Sequence, residues 1–368
     1  MLRAKRQGIP KKKSPELPDN AMAWALMDFL AWSESTGATE STISTRKQAL
    51  IVFVRWAAER SLARPQDITL PILERYQRYL FHYRKSNGEA LGYVSQRSRL
   101  IPVKTFFRWL TRARYLLYNP ASELQLPRPS KKLPHHVLTP AEVEAILSQP
   151  DITTASGLRD RAMLELLYST GVRRMEVTRL KCYDVDTEAG SVMVREGKGR
   201  RDRFIPIGAR ACAWLTRYLQ EVRPLLIVEP DDGYLFLTDY GEPINRNAAG
   251  GITRRYIERA GFTFPGSCHL FRHAMATHML ENGADIRYIQ AMLGHAKLTT
   301  TEIYTQVSIL KLKEIHTATH PARLQRARGP STGSGQAHAK PVREDAGDER
   351  VELLHTLAME CEHDQEEA

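Results

Sequence analysis

Residues 126–136, LPRPSKKLPHH, hold three prolines and two lysines in eleven positions. Each proline fixes φ, removes an amide donor and pushes the residue before it out of the helical region, so neither a helix nor a central strand runs through this stretch. It reads as an extended linker joining two separately folding parts. The chain has 368 residues, 42% of them hydrophobic, which is enough for two cores.

On the amino-terminal side, residues 1–20 combine basic residues and prolines with almost no apolar periodicity, as expected of a flexible basic arm. Residues 21–125 carry a helical pattern. In STISTRKQALIVFVRWAAER the apolar positions Ile43, Leu50, Phe53, Val54 and Ala57 share one face. In YVSQRSRLIPVKTFFRWLTRARYLL, Arg97, Arg99, Lys104, Arg108 and Arg112 alternate with aromatics. One arginine on a helix usually points into solvent, whereas a cluster is the footprint of a polyanion. Thr45, Arg46, Arg97, Arg99 and Lys104 are the candidate DNA contacts of this part.

Residues 137–324 form the second part. Thr139, Pro140 and Glu142 make a capping box that opens a helix. SVMVREGKGRRDRFIPI, 191–207, places two β-rich runs around a Gly-Lys-Gly turn and predicts a strand pair. LLYSTGVRRMEVTRL breaks at Thr170-Gly171 and resumes as a helix, which puts Arg173 at a helix start, where amides and the dipole favour phosphate. Glu176 is placed to hold an arginine. HLFRHAMATHMLENG predicts a helix ending at Asn282-Gly283, and GADIRYIQAMLGH one capped by Asp285, burying Ile286, Ile289 and Leu293 and stopped by Gly294. Thr299 and Glu302 make a second capping box, so Tyr304 falls near the start of the next helix. Residues 325–368 are a flexible linker and an acidic tail, with one short helix expected from Val351, Leu354, Leu357 and Ala358.

Charge narrows the function. Lysine and arginine number 53 against 42 acids, and the surplus is +12 over 1–130, +6 over 131–330 and −7 over 331–368. The parts expected to fold are basic, which points to a polyanionic partner, with nucleic acid leading. AMAWALMDFLAW, 21–32, is too short to span a bilayer and is broken by Asp28. Cys182, Cys212, Cys268 and Cys361 are scattered, without a CxxC pair, which fits a reducing compartment. The expectation is a soluble cytoplasmic protein associated with the nucleoid, with no membrane.

Several residues can carry chemistry. His269 and Arg272 lie three apart, on one helical face, where both reach a single anion. His273 and His278 suggest a metal, yet the zincin pattern needs a glutamate inside HExxH, and an arginine stands among these histidines instead. Packed, hydrogen-bonded histidines are the favoured reading, with no metal. Lys198, between Gly197 and Gly199, is either a solvated turn residue or a proton donor reaching over a ligand.

The blocks STGVRRMEV, GKGRRDRFIP, HLFRHAMATHMLENGADIRYIQAMLGH and TTTEIYT resemble, in order and spacing, the signatures of the tyrosine recombinase (phage integrase) superfamily, nearest its Xer-like branch. The resemblance runs from about Ala21 to Leu324. It implies a mainly α fold with a small antiparallel β-sheet: a helical, SAM-like core-binding domain and a mixed α/β catalytic domain, closing as a C-shaped clamp. It implies that Tyr304 attacks a scissile phosphate to give a 3′-phosphotyrosyl link and a free 5′-hydroxyl. Arg173 and Arg272 then grip the non-bridging oxygens, Lys198 protonates the leaving oxygen, His269 exchanges protons and His295 hydrogen-bonds the phosphate. A homotetramer on two DNA sites is implied, with or without a second recombinase in the synapse.

Elementary chemistry agrees with those roles. A phosphodiester gains charge at its transition state, so two fixed guanidiniums stabilise that state more than the ground state. Free tyrosine, with a pKa near 10, is a weak nucleophile that needs cationic surroundings. The protein–DNA bond conserves the energy of the broken ester, so no cofactor, neither ATP nor a metal, is required. Phe271 and Gln306 depart from the leucine and histidine common in the Xer-like pattern. The basic arm and acidic tail point to a mobile-element enzyme. Two other readings stay open: a type IB topoisomerase, with similar chemistry but no partner site, and a non-catalytic DNA-binding regulator, since HMLENGADIRYIQAM superficially resembles a helix-turn-helix. LKEIHTATHPARL, similar to the helix that docks on a neighbouring subunit, counts against the topoisomerase.

Overall fold

A computed structural model describes residues 17–85, 87–128, 136–195, 202–294, 309–321 and 353. The linker core at 129–135, the turn with Lys198, the stretch with His295, Thr299, Glu302 and Tyr304, the leader and most of the tail lie outside the described residues. The described residues fall into two compact units, 17–128 and 136 onward.

The first unit is helical. The Asn20 side chain accepts from the Ala23 amide at 2.9 Å and starts α1 (Ala21–Ser35). Thr39 does the same for α2 (Glu40–Ala58) through Thr42, and α3 (Leu70–His82) and α4 (Tyr93–Arg112) complete the set. Each helix turns an apolar stripe inward, and aromatics fill the centre: Phe53 meets Phe107 edge-on at 5.8 Å and Tyr76 edge-on at 5.0 Å. Leu50, Phe53, Val54 and Ala57 are buried as expected, while Ile43, nearer the helix start, is half-buried. Pro102 lies inside α4 with its ring buried.

The second unit opens with α5 (Pro140–Leu147), and its capping box forms as the sequence predicts. The Thr139 hydroxyl accepts from the Glu142 amide at 3.2 Å, and the Glu142 carboxylate accepts from the Thr139 amide at 2.7 Å. Next comes α6 (Ala155–Thr170), buried on nearly every side and packed against α8 (Ala209–Arg217) and α11 (Cys268–Glu281). Gly171 ends it in the left-handed conformation, and α7 (Arg174–Arg179) follows.

The sheet has three antiparallel strands in the order β1-β2-β3: β1 (Val185–Asp186), β2 (Ser191–Val194) and β3 (Arg203–Pro206). The expected pair is β2 with β3, in register Val192 opposite Ile205 and Val194 opposite Arg203. β1 adds a third strand that the sequence did not announce, because two residues are too few to show alternation.

After α8 the helix passes through one π-turn, Tyr218–Val222, into α9 (Arg223–Leu226). α10 (Arg246–Arg259) starts on an Asn245 cap. α11 stops at Asn282 and Gly283, and α12 (Ile286–Leu293) runs from an Asp285 cap to a left-handed Gly294. Ile289 and Leu293 are buried as expected, but Ile286 is only half-buried and Met292 takes its place in the core. The chain is next described in α13 (Ile309–Thr319), which lies against β3 and α11. Leu353 is helical and joins the same core at 2% exposure.

Among the described residues no helix is long and apolar enough to cross a membrane. Cys182, Cys212 and Cys268 are free thiols.

Candidate active site

Two helix breaks and one strand build the site. α6 ends at Gly171 with φ +61°, which turns the chain so that Arg173 stands just ahead of α7. The Arg173 amide donates to Glu176 Oε2 at 2.8 Å and its guanidinium to Oε1 at 3.2 Å. Glu176 therefore holds an arginine, as the sequence suggested. It also holds a second one: Arg203 on β3 donates Nη1 to Oε1 at 2.9 Å and Nη2 to Oε2 at 2.7 Å.

Burial works to raise the Glu176 carboxyl pKa, but the Arg203 hydrogen bonds and the charges of Arg203, Arg173 and Arg272 outweigh it and bring it down to about 2. Glu176 is thus a permanent anion amid three cations. It offsets part of the mutual repulsion of the guanidiniums gathered around it.

Arg272 comes from α11 and is 3% exposed. Its Nη1 donates to the Gly171 carbonyl at 2.6 Å and its Nη2 to the Leu293 carbonyl at 3.0 Å. Both acceptors belong to helix ends, where carbonyls have no intrahelical partner. The side chain is thereby anchored between the C-termini of α6 and α12. His269, one turn earlier on α11, is buried at 6% exposure. Arg173, Arg272 and His269 are thus set by elements of one unit, and Lys198, His295 and Tyr304 lie outside the described residues.

The other histidines are packing residues. His278 Nδ1 pairs with the Tyr168 hydroxyl at 2.9 Å, and His273, also on α11, is buried. Among the described residues no group of three metal-ligating side chains comes together.

In the first unit the five candidate DNA contacts separate. Arg46 Nη1 donates to the Ser33 hydroxyl at 3.0 Å with its guanidinium 5.7 Å from the Phe29 ring centre, and Thr45 donates to Ser41 O at 2.9 Å. Arg99 lies over the Tyr83 ring at 5.4 Å, and Arg97 is half-buried. Lys104 donates to the Leu124 and Ser122 carbonyls at 2.6 and 3.2 Å, which ties α4 to the segment after it.

Arg203 was not singled out from the sequence. The signal was present in the strand alternation: with Val192, Val194 and Ile205 facing inward, a register of Val194 opposite Arg203 puts an arginine on the inward phase of β3.

Comparison with known proteins bears on these groups. The model of the phage integrase family matches residues 136–310. Tyrosine recombinase XerC 2 of Ralstonia nicotianae is 54% identical over 316 residues, which is 85% of this chain and 91% of that protein. Tyrosine recombinase XerD of the same organism is 36% identical over 290 residues, 79% of this chain and 91% of its own. Among solved structures, XerH site-specific recombinase bound to difH substrate superposes with a TM-score of 0.59 at 20% identity, covering 83% of each chain. The Tn1549 transposon integrase in complex with a circular intermediate DNA gives 0.59 at 19%, covering 76% of this chain and 93% of that one. At such identity these two structures speak for the fold, and the sequence relatives for the family. The sequence relatives thereby place the chain in one lineage: it belongs to the phage integrase family, as a tyrosine site-specific recombinase of the Xer-like branch.

Proposed function

We propose that the chain cuts and rejoins double-stranded DNA through a 3′-phosphotyrosyl intermediate formed on Tyr304. The phenolic oxygen bonds to phosphorus as the bond to the 5′-oxygen breaks, and Lys198 delivers the proton that leaves a 5′-hydroxyl. Arg173 and Arg272 take the non-bridging oxygens, His269 moves a proton, and His295 donates a hydrogen bond to the phosphate. Attack by a 5′-hydroxyl from the other site reverses the step and exchanges strands by way of a Holliday junction.

The observation that carries this reading is Arg272 anchored on the Gly171 and Leu293 carbonyls in the same charge cluster as Arg173. Two guanidiniums fixed before substrate arrives need no reorganisation when charge builds on phosphorus. The formal net charge of +11 supplies long-range attraction to DNA.

The working assembly is a homotetramer on two DNA sites, each protomer with a core-binding domain over 21–125 and a catalytic domain over 137–324. Its setting is the cytoplasm, at the nucleoid, in the service of integration, excision or resolution by a mobile element. Support comes from the relatives named above and from the DNA present in the XerH and Tn1549 integrase complexes.

The test uses nicked suicide duplexes tiling the DNA that flanks the gene, incubated without ATP or metal. A labelled band at protein mass on a denaturing gel, present in wild type and absent in Tyr304→Phe, is expected. Tight, salt-sensitive binding with no such band on any duplex would favour a DNA-binding role instead.

A further inference from the structure

We propose that Arg203 is a positioning residue of the catalytic site, setting the Arg173 guanidinium through Glu176 and tying that grip to the end of α12. The proposal rests on the recombinase reading above.

Arg203 aims every arm of its guanidinium at a defined acceptor. Nη1 and Nη2 form a two-bonded fork on Glu176 at 2.9 and 2.7 Å, and Nε donates to the Met292 carbonyl at 2.9 Å. The side chain is 12% exposed, so these bonds form largely out of water. On its other edge Glu176 accepts the Arg173 amide and guanidinium. The carboxylate is shared between two arginines, and its orientation cannot change without moving both.

The backbone around Arg203 is shaped to it. Gly294, with φ +65°, closes α12 so tightly against the guanidinium that a Cβ there would sit 3.0 Å from Nε. One side chain thus connects three chain segments: α7, headed by Arg173; β3, which follows the turn containing Lys198 in sequence; and α12, after which His295 follows Gly294. None of the roles assigned to the six candidate catalytic residues includes this connection.

A buried ion pair that only holds the fold would give the same bonds, so the test must read the phosphate grip itself. Arg203→Lys keeps a charge but replaces the fork with a point donor that cannot reach both Glu176 and Met292. Covalent-complex formation is followed in single turnover on two suicide duplexes of the mapped site, one with the ordinary phosphodiester and one with a methylphosphonate at the scissile position. The methyl group removes a negative charge, and with it much of the demand on the arginines.

A displaced Arg173 predicts a rate on the phosphodiester roughly 10- to 100-fold below wild type, with unchanged DNA affinity and a deficit within about threefold on the methylphosphonate. Equal deficits on both duplexes with a lowered thermal midpoint, or no deficit on either, would overturn the proposal. Should Arg203→Lys fail to fold, Glu176→Gln carries the same comparison, since it keeps the shape and removes the charge that orients both arginines. Equal deficits there overturn the proposal as well. Wild type that forms no covalent complex on any duplex removes the recombinase reading, and this one with it.

Discussion

Arg272 donates to the carbonyl of Gly171 at 2.6 Å, and Gly171 has a backbone that only glycine adopts without strain, at φ +61°. The glycine is also crowded: a Cβ would lie 2.2 Å from the Met275 terminal methyl and 3.1 Å from a Leu293 methyl. The carbonyl that fixes Arg272 is thus presented by a residue where a side chain would meet both a strained backbone and a crowded space. Gly171→Ala should cost about 1–3 kcal/mol of stability from the backbone and the displaced Met275. It should also slow covalent-complex formation by more than the stability loss explains. Thermal unfolding beside single-turnover cleavage separates the two, and full activity in a folded variant would count against the anchoring role.

Lys104 offers a test of which basic residues touch DNA. Its ammonium already serves the Leu124 and Ser122 carbonyls. Lys104→Met should lower the thermal midpoint of the protein while leaving the salt dependence of DNA binding unchanged, because a phosphate contact contributes nearly one unit to the slope of log K against log salt. A slope reduced by about one would return Lys104 to the list of phosphate contacts.

The docking of α13 should depend on pH. His316 Nε2 pairs with the Ser169 carbonyl at 2.6 Å, His320 Nε2 with the Tyr168 carbonyl at 2.9 Å, and the two rings stack at 4.6 Å. Burial brings the His316 pKa down to about 4, against the raising effect of the Ser169 bond, and holds His320 well below its usual value, with His316, Arg210 and His278 adding to the effect against the Tyr168 bond. In the unfolded chain both imidazoles take a proton near pH 6.5. Between that pH and about 4 the unfolded state binds more protons, so the stability from neutral packing is present above about 6.5 and is lost as pH falls. Protection of the α13 amides, taken relative to their intrinsic exchange rate, should therefore fall between pH 7.5 and 4.5, and His316→Asn should flatten that dependence. Protection that does not change with pH would contradict the buried pair.

Leu353 belongs to the core of the second unit at 2% exposure. Leu353→Ala should cost about 2–3 kcal/mol, read as a lower thermal midpoint. Removal of everything after Pro330, expected from charge to tighten non-specific DNA binding, should then also destabilise the protein. Unchanged stability in both variants would leave the tail a purely electrostatic device.

What could be read from the sequence had a local cause. The Thr139–Glu142 box, the breaks at Gly171 and Gly294 and the Asp285 cap each follow from backbone groups seeking partners within a few residues, and each formed as expected. The hidden features depend on partners far along the chain. Arg203 sits in a run of basic residues around a glycine turn, and only the strand register distinguishes it from Arg200 and Arg201. Lys104 looked like its basic neighbours on α4 because the carbonyls it binds lie about a helix length away in sequence. Ile286 yielded its core place to Met292 because the depth of a helix face is set by what packs against it.

The buried face of α6 has a further consequence, for synthesis. Asp160 is reached by Tyr256, Tyr168 by His278, and the Tyr168 carbonyl by His320, separations of 96, 110 and 152 residues. The first unit can close once its own helices have left the ribosome, but α6 emerges long before these partners. At a synthesis rate of about 5–20 residues per second, these separations leave the inward face of α6 uncovered for roughly five to thirty seconds. The second half of this enzyme is therefore the part most exposed to aggregation while it is being made, and slower, cooler expression with abundant chaperones should raise its yield far more than that of the amino-terminal unit expressed by itself.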